Sequence, residues 1–312
     1  LKRDKQIDIE GKFKSQFNLN ENEINKFFIK SKIKFLEKNK ANIKGSLIHN
    51  FSLKIDENLK LIDYDYKSKG NISESQIILK DDFKNNFIKK SIKKFSISRT
   101  NLVINLNKKD NNLMIDGIYN LGGAENKKFK ISHNFNKKNP KYFIDFDLAE
   151  NIFLKPINFK SNYKNGSNIK SEINFINNNI IFNYIKFTES KNLISINGLK
   201  LNNKKEIASI SSVVVRTFND NKQNNNFKIS FDKKISIIGT EYDATHLFKD
   251  FSNNNKSNLF KNYTKDIEIK FNNLIIKKIP LKDFNLIGQI NKGKFENLSA
   301  KSEFSKTKYL DI

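Results

Sequence analysis

Apolar residues recur at every second position through most of this chain. In Lys265-Asp-Ile-Glu-Ile-Lys-Phe271, Ile267, Ile269 and Phe271 fall on one side of an extended segment and Glu268 and Lys270 on the other, the period of a strand with one apolar face. Leu102, Ile104 and Leu106 lead through residues 107–112 to Leu113, Ile115, Gly117 and Tyr119, which reads as strand, loop, strand. Phe129, Ile131, His133 and Phe135 lead likewise to Tyr142, Ile144, Phe146 and Leu148. Ile169, Ser171, Ile173 and Phe175 precede a turn at 177–179 and the apolar run Ile180 to Phe187, and Phe227, Ile229 and Phe231 precede Ile235, Ile237 and Gly239. New strands begin about every 11 to 16 residues, the rhythm of an antiparallel meander and not of strand, helix, strand units.

Two stretches break that rhythm. Asp243 to Phe251 places a capping Asp243 before Leu247, Phe248 and Phe251 at helical spacing, which predicts a short helix over 243–251. Residues 81–94 are acidic at the start and basic at the end, with Phe83, Phe87, Ser91 and Ile92 roughly on one face, and predict a second helix that complements its dipole. This second helix either lies on a membrane or plugs one end of a sheet. Glu21 to Lys38 alternates through Phe27, Ile29, Ile33 and Phe35 and is read as strand. The Asn-rich patches 224–226 and 253–255 are short enough to be loops, and no Pro/Gly/Ser-rich linker divides the chain. The expectation is therefore all-β: one elongated segment over 1–312, a strongly twisted antiparallel meander with one or two short helices. About 20 strands spaced about 4.8 Å apart would reach on the order of 100 Å, and a sheet that long must twist or curl.

Composition changes this picture in two ways. With 37% hydrophobic residues and 28 Phe, the chain can bury a substantial apolar face despite its charge. The net charge of +25 raises polyanions or anionic membranes as partners, but the basic residues are 55 Lys against only Arg3, Arg99 and Arg216. Bidentate phosphate and base-edge recognition favour Arg, so the bias argues against a dedicated nucleic-acid reader. Lys, Asn, Ile and Phe share AT-rich codons, and the 50 Asn fit that genome bias; a role for the lysines near anionic head groups is the alternative. No cysteine is present, which excludes disulfides and thiolate metal sites. No run of 18 apolar residues could span a bilayer as a helix. The chain begins Leu1-Lys-Arg-Asp-Lys, without the apolar stretch of a secretory signal, and reads as a piece of a longer protein whose anchoring segment lies upstream.

The search for chemistry is negative. His49, His133 and His246 are far apart and none has a metal-ligand spacing. His133, between Ile131 and Phe135 on an apolar face, reads as a packed, hydrogen-bonded histidine. Nucleophile elbows, phosphate-cradling glycine loops and dinucleotide fingerprints are absent. Asp145 and Asp147 share a strand face but lie opposite Ile144, Phe146 and Leu148, on the solvated side, which disfavours a paired-carboxylate glycosidase; Asp63 and Asp65 read the same way. No cofactor, metal or enzymatic activity is expected. What remains is the apolar face, which must be covered by a second sheet, by helices, by a partner or by a greasy ligand.

The stretch from Ile235 to Phe304 carries Ile237-Ile-Gly239, Tyr242-Asp-Ala-Thr-His-Leu-Phe248, Asp266-Ile-Glu-Ile269, Pro280-Leu-Lys-Asp-Phe284, Leu286-Ile-Gly288 and Gly293-Lys-Phe-Glu-Asn-Leu298. It resembles the repeating β region of the AsmA-like family, most of all the large YhdP-type members of Gram-negative envelopes, with 265–304 the best-matching strand repeat. The resemblance covers roughly the last 80 residues by pattern and the rest by rhythm, and this chain departs from the family in its Lys and Asn load. It implies a U-shaped β-groove in the periplasm, tied to the inner membrane by a segment outside this sequence, that lets phospholipids move towards the outer membrane with acyl chains against the apolar wall. Candidate groove-lining positions are Ile173, Phe175, Ile229, Phe231, Ile267, Ile269, Phe271, Leu298 and Phe304, each of which reads equally as core packing. Rival readings are a structural β-solenoid or sandwich of the envelope or cell surface, an outer-membrane barrel, and a polyanion-binding module with a steep salt dependence.

Overall fold

The computed structural model describes residues 6–23, 36–83, 91–109, 111–123, 125–135, 140–177, 179–246, 264–292, 294–305 and 308–311. The protein is all-β, mostly antiparallel and not closed into a barrel. Its residues group into two compact units: Leu1–Glu150 with Glu172–Ile176, and Asn151–Ser171 with Asn177–Ile312.

The first unit is a meander of β1 (Ile7–Asn20), β2 (Leu36–Ile55), β3 (Leu61–Phe83), β4 (Ile92–Asn107), β5 (Asn111–Asn120), β6 (Lys127–Asn134) and β7 (Lys141–Asp147). Each strand pairs antiparallel with the next. The hairpins expected around residues 107–112 and 136–141 fall where alternation places them. Pairing of near neighbours needs only a short turn, and the period of two then decides which side chains share a face. Between β2 and β3 the turn is locked by Asp56, whose Oδ1 accepts from the amides of Asn58 at 2.9 Å and Lys60 at 2.8 Å.

The second unit opens with two short strands, β8 (Phe153–Leu154) and β9 (Phe159–Lys160), joined and followed by single 3-10 turns at Lys155–Ile157 and Tyr163–Asn165. Then come β10 (Asn168–Ile176, whose last five residues belong to the first unit), β11 (Asn179–Glu189), β12 (Asn192–Leu201), β13 (Ile207–Ser209), β14 (Ser212–Asn219), β15 (Lys222–Phe231), β16 (Ile235–Asp243), β17 (Thr264–Ile276), β18 (Ile279–Asn291), β19 (Lys294–Ser305) and β20 (Lys308–Asp311). One pair departs from the meander: β16 and β17 run parallel, Ile235 facing Ile267. The turns are as tight as the sequence suggests. Between β14 and β15 only Asp220 and Asn221 intervene, both with positive φ (49° and 64°), and Lys277 and Lys278 do the same between β17 and β18 (48° and 70°). Two consecutive positive φ values are what a right-twisted two-residue hairpin demands.

Four local readings change. Glu21–Glu23 is helical where a strand is expected, because Asn20 caps it: Asn20 Oδ1 accepts from the amides of Asn22 and Glu23, and the Glu23 carboxylate accepts from the Asn20 amide at 2.8 Å. Residues 24–35, with the rest of that alternation, lie outside the described residues. At the ends of the expected helix 81–94, Asp81–Phe83 finish β3 and Ile92–Lys94 begin β4, with Phe83 paired to Ile92; 84–90 lie outside the description. Asp243 is the last residue of β16, and its Oδ1 accepts from the Thr245 amide at 3.1 Å. Its amide donates to Asn225 Oδ1 and the next amide, of Ala244, to the Ile275 carbonyl, so the segment stays in the ladder; Thr245 and His246 form a turn and 247–251 are outside the described residues. Finally, 224–226 is not a loop but the middle of β15, with Asn225 wholly buried.

Candidate functional site

In each unit, cross-strand register collects the apolar positions into rows that run across the strands. In the first unit one row is Leu47, Gly70, Leu102, Ile115, Ile131 and Ile144 on β2 to β7, with Ser15 of β1 at its head. Every member is half-buried. Among the described residues, the extensive strand contacts in this unit follow the ladder. Towards one end the face closes on itself. Tyr119, Phe129 and Ala149 are buried with Phe95, Ile97 and Phe146 around them, and the Tyr119 hydroxyl donates to the Asp147 carbonyl at 2.6 Å. Burial pushes the Tyr119 phenol up to about 12. The opposite face carries charge and amide groups, such as Asn101 donating to Asp116 and Asn105 to Asn112.

The second unit has two contrasting rows. Ile185, Ile196, Val213, Ile229, Ile237, Ile269, Leu286 and Ala300 form an aliphatic row across β11 to β19; all but Ala300 are half-buried. Beside it, Phe187, Ile194, Val215, Phe227, Gly239, Phe271 and Phe284 form a row in which every side chain, Gly239 having none, is at most 8% exposed. Gly239 is required there: a Cβ would come within 2.4 Å of Phe227 Cβ and 2.2 Å of the Asn226 carbonyl. Space left by the glycine lets Phe227 meet Phe271 edge-on at 5.7 Å, with Tyr242 on both. The segment carrying β8 and β9 lies against this end of the face as a strap, with Phe159 edge-on to Phe187 at 5.7 Å.

The strap is held by buried polar groups. Asn225 donates to the Ile157 carbonyl and to Thr217 Oγ1, both at 2.7 Å, and accepts from the Asp243 amide at 3.0 Å. Asn158 donates to Asp243 Oδ2 at 2.7 Å, Tyr242 donates to the Pro156 carbonyl, and buried Glu189 accepts from the Asn162 amide and Ser167. Burial raises the Tyr242 phenol above its ordinary value. On the outer side of β17, Lys234 and Lys270 both bond Glu268, and their hydrogen bonds hold its carboxyl below the usual range.

The nine predicted lining residues are therefore distributed unequally. Ile229 and Ile269 stand in the aliphatic row, half-buried, and with Ile237 and Leu286 pack against the buried Ile235, Ile267 and Ile290. Ile267 and Phe271 are 2% exposed and are core, and Phe231 packs half-buried on the Ile235, Ile267 and Ile290 cluster. Leu298 lies over Gly288, with its Cδ2 where a Cβ would be, and is exposed, as is Phe304. Ile173 is half-buried and Phe175 exposed in the first unit, where Phe175 meets Tyr142 edge-on at 5.4 Å.

His133 is packed and hydrogen-bonded: Nδ1 donates to the Lys141 carbonyl at 3.1 Å, and the ring stacks on Tyr142 at 3.8 Å. Burial lowers its pKa. The unfolded chain therefore takes up the proton first as pH falls through about 6.5, and stability contributed by the neutral ring is lost below that pH. Replacing His133 by Phe should flatten the loss of urea midpoint between pH 7.5 and 5.5; an unaltered slope would refute the assignment.

His49 also belongs to the apolar face, a position the sequence reading passed over. It stacks on Phe13 at 4.3 Å and is bonded on both nitrogens, to Ser15 Oγ and Tyr66 Oη, each at 2.7 Å. Its alternation with Leu47, Phe51 and Leu53 was the available signal. Among the described residues no three His, Asp or Glu gather as a metal site, and no helix is long and apolar enough to cross a membrane. The chain matches no protein-family model, no curated protein and no solved structure.

Proposed function

We propose that this chain is a non-enzymatic lipid-binding segment that guides phospholipid acyl chains along its apolar sheet faces, in the periplasm of a Gram-negative envelope and tied to the inner membrane by a segment outside this sequence. The observation that supports the reading is the aliphatic row in each unit, in register across six strands in one and across β11 to β19 in the other, and only half-buried, while the aromatic row beside it in the second unit is sealed. A row of branched aliphatics stripped of cover costs free energy in water, and each acyl methylene buried on it returns about 0.8 kcal/mol. Because the rows are aliphatic at nearly every strand, broken by Gly70 in the first unit, a chain sliding along them meets mostly similar contacts. The opposite faces mix charged and amide groups with exposed Ile48, Met114, Phe143, Ile238 and Ile287.

The test is native mass spectrometry of the purified chain. Bound phospholipid is expected on the wild type and is lost when Leu102 and Ile115 together with Ile229 and Ile269 become Asp, with far-UV circular dichroism retained. These positions are chosen over Phe271 because each is only half-buried where Phe271 is 2% exposed, so a charge there costs less of the core. Absence of lipid on the wild type, or lipid unchanged in the variant, would overturn the reading.

A further inference from the structure

From the Ser15, His49 and Tyr66 cluster we infer a docking point for the ester carbonyl of an acyl chain, an inference that rests on the lipid reading above and specifies where one tail begins. The three side chains form a chain of two hydrogen bonds across β1, β2 and β3, with His49 6% exposed at the centre. A serine hydroxyl, a neutral imidazole and a phenol bring three hydrogens to two links. If His49 carries its proton on Nδ1, Ser15 donates to Nε2, Nδ1 donates to Tyr66, and the Tyr66 hydrogen is left over. If the proton is on Nε2, it goes to Ser15, Tyr66 donates to Nδ1, and the Ser15 hydrogen is left over. In either tautomer one hydroxyl hydrogen has no acceptor within the cluster.

A second observation adds another unsatisfied hydroxyl to the same patch. Ser68 stands directly across from His49 in register, is fully buried, and its Oγ has no partner among the described residues. An apolar face that carries a spare donor selects a ligand that is greasy and bears an acceptor. Ser15 and Tyr66 are half-buried, so the spare hydrogen is reachable from the open side. Ser15 is also in register with Leu47 at the head of the aliphatic row. A tail laid along that row ends at Ser15, which places the first oxygen-bearing carbon of an acyl ester against the donor. An acceptor held there in a low-dielectric setting gains roughly one net hydrogen bond.

The experiment offers equimolar diester and diether phosphatidylethanolamine of equal chain length in mixed micelles and reads the bound ratio by native mass spectrometry. The diether has the same tails and head group and no carbonyl. Wild type is expected to favour the diester by about five-fold, the scale of one net hydrogen bond. The triple variant Ser15→Ala, His49→Phe, Tyr66→Phe removes every hydrogen of the cluster, keeps the ring on Phe13, and is expected to lose diester until the ratio is near one, with its diether binding retained. A wild-type ratio of one, or a preference that survives in the triple variant, overturns the docking point and leaves the lipid reading standing. Wild type that binds neither lipid overturns both.

Discussion

Replacing Phe271 by Ala lowers stability by about 3–5 kcal/mol, the range for deleting a fully buried aromatic, read as a shift in the urea midpoint. Phe271 is 2% exposed, faces Phe284 across β18, and is wedged between Phe227 and Tyr242. The cavity left behind cannot collapse easily, because Gly239 on the neighbouring strand holds the two backbones at close approach. Ile269, two residues earlier on the same strand and face, is half-buried against the Ile235, Ile267 and Ile290 cluster, and Ile269→Ala loses only part of a transfer term. The ordering of these two substitutions therefore tests the division of the second unit's face into a packed aromatic row and a half-buried aliphatic one. Equal costs would show that both rows are covered, and the lipid reading would lose its support.

The second large effect is expected at Asn225. Asn225→Leu leaves the Ile157 carbonyl, the Thr217 hydroxyl and the Asp243 amide without that partner in a buried place, at about 1–3 kcal/mol for each group that finds no other. Thr217 Oγ1 also bonds Asn224 and is rescued, so about 3 kcal/mol is the expected total. Its local signature is more telling than its size. The strap over residues 151–167 is anchored through Ile157 and Asn158, so limited trypsin digestion should cut at Lys155 and Lys160 in the variant well before global unfolding. A variant that loses stability while the strap resists trypsin would show that Asn225 serves the sheet and not the strap.

Alternation was legible because it is a local property. Side chains two apart in an extended chain share a face whatever the rest of the molecule does, so Ile267, Ile269 and Phe271 could be placed together, and the hairpin at 107–112 followed from a short turn. Asn225 shows the limit of composition. In a chain with 50 Asn an Asn-rich patch reads as a loop or as codon bias, yet this one is buried in mid-strand because three partners from β8–β9, β14 and β16 converge on it. The Ser15, His49 and Tyr66 cluster was hidden for the same reason: its members are 34 and 17 residues apart and meet only through register. Capping at Asn20 was readable in principle from Asn20 and Glu23, and the downstream alternation outweighed it.

The amino-acid order by itself determined that this is a one-faced, meandering β protein, and which residues look towards the apolar side, since both follow from a period of two and from turns of a few residues. Which of those residues are sealed and which stay open was decided in three dimensions. Sealing depends on a strap of two-residue strands and 3-10 turns, too short to leave any periodicity, and on glycines that bring particular strands close. Burial is a property of what lies opposite, and no stretch of chain encodes its own neighbour across the sheet.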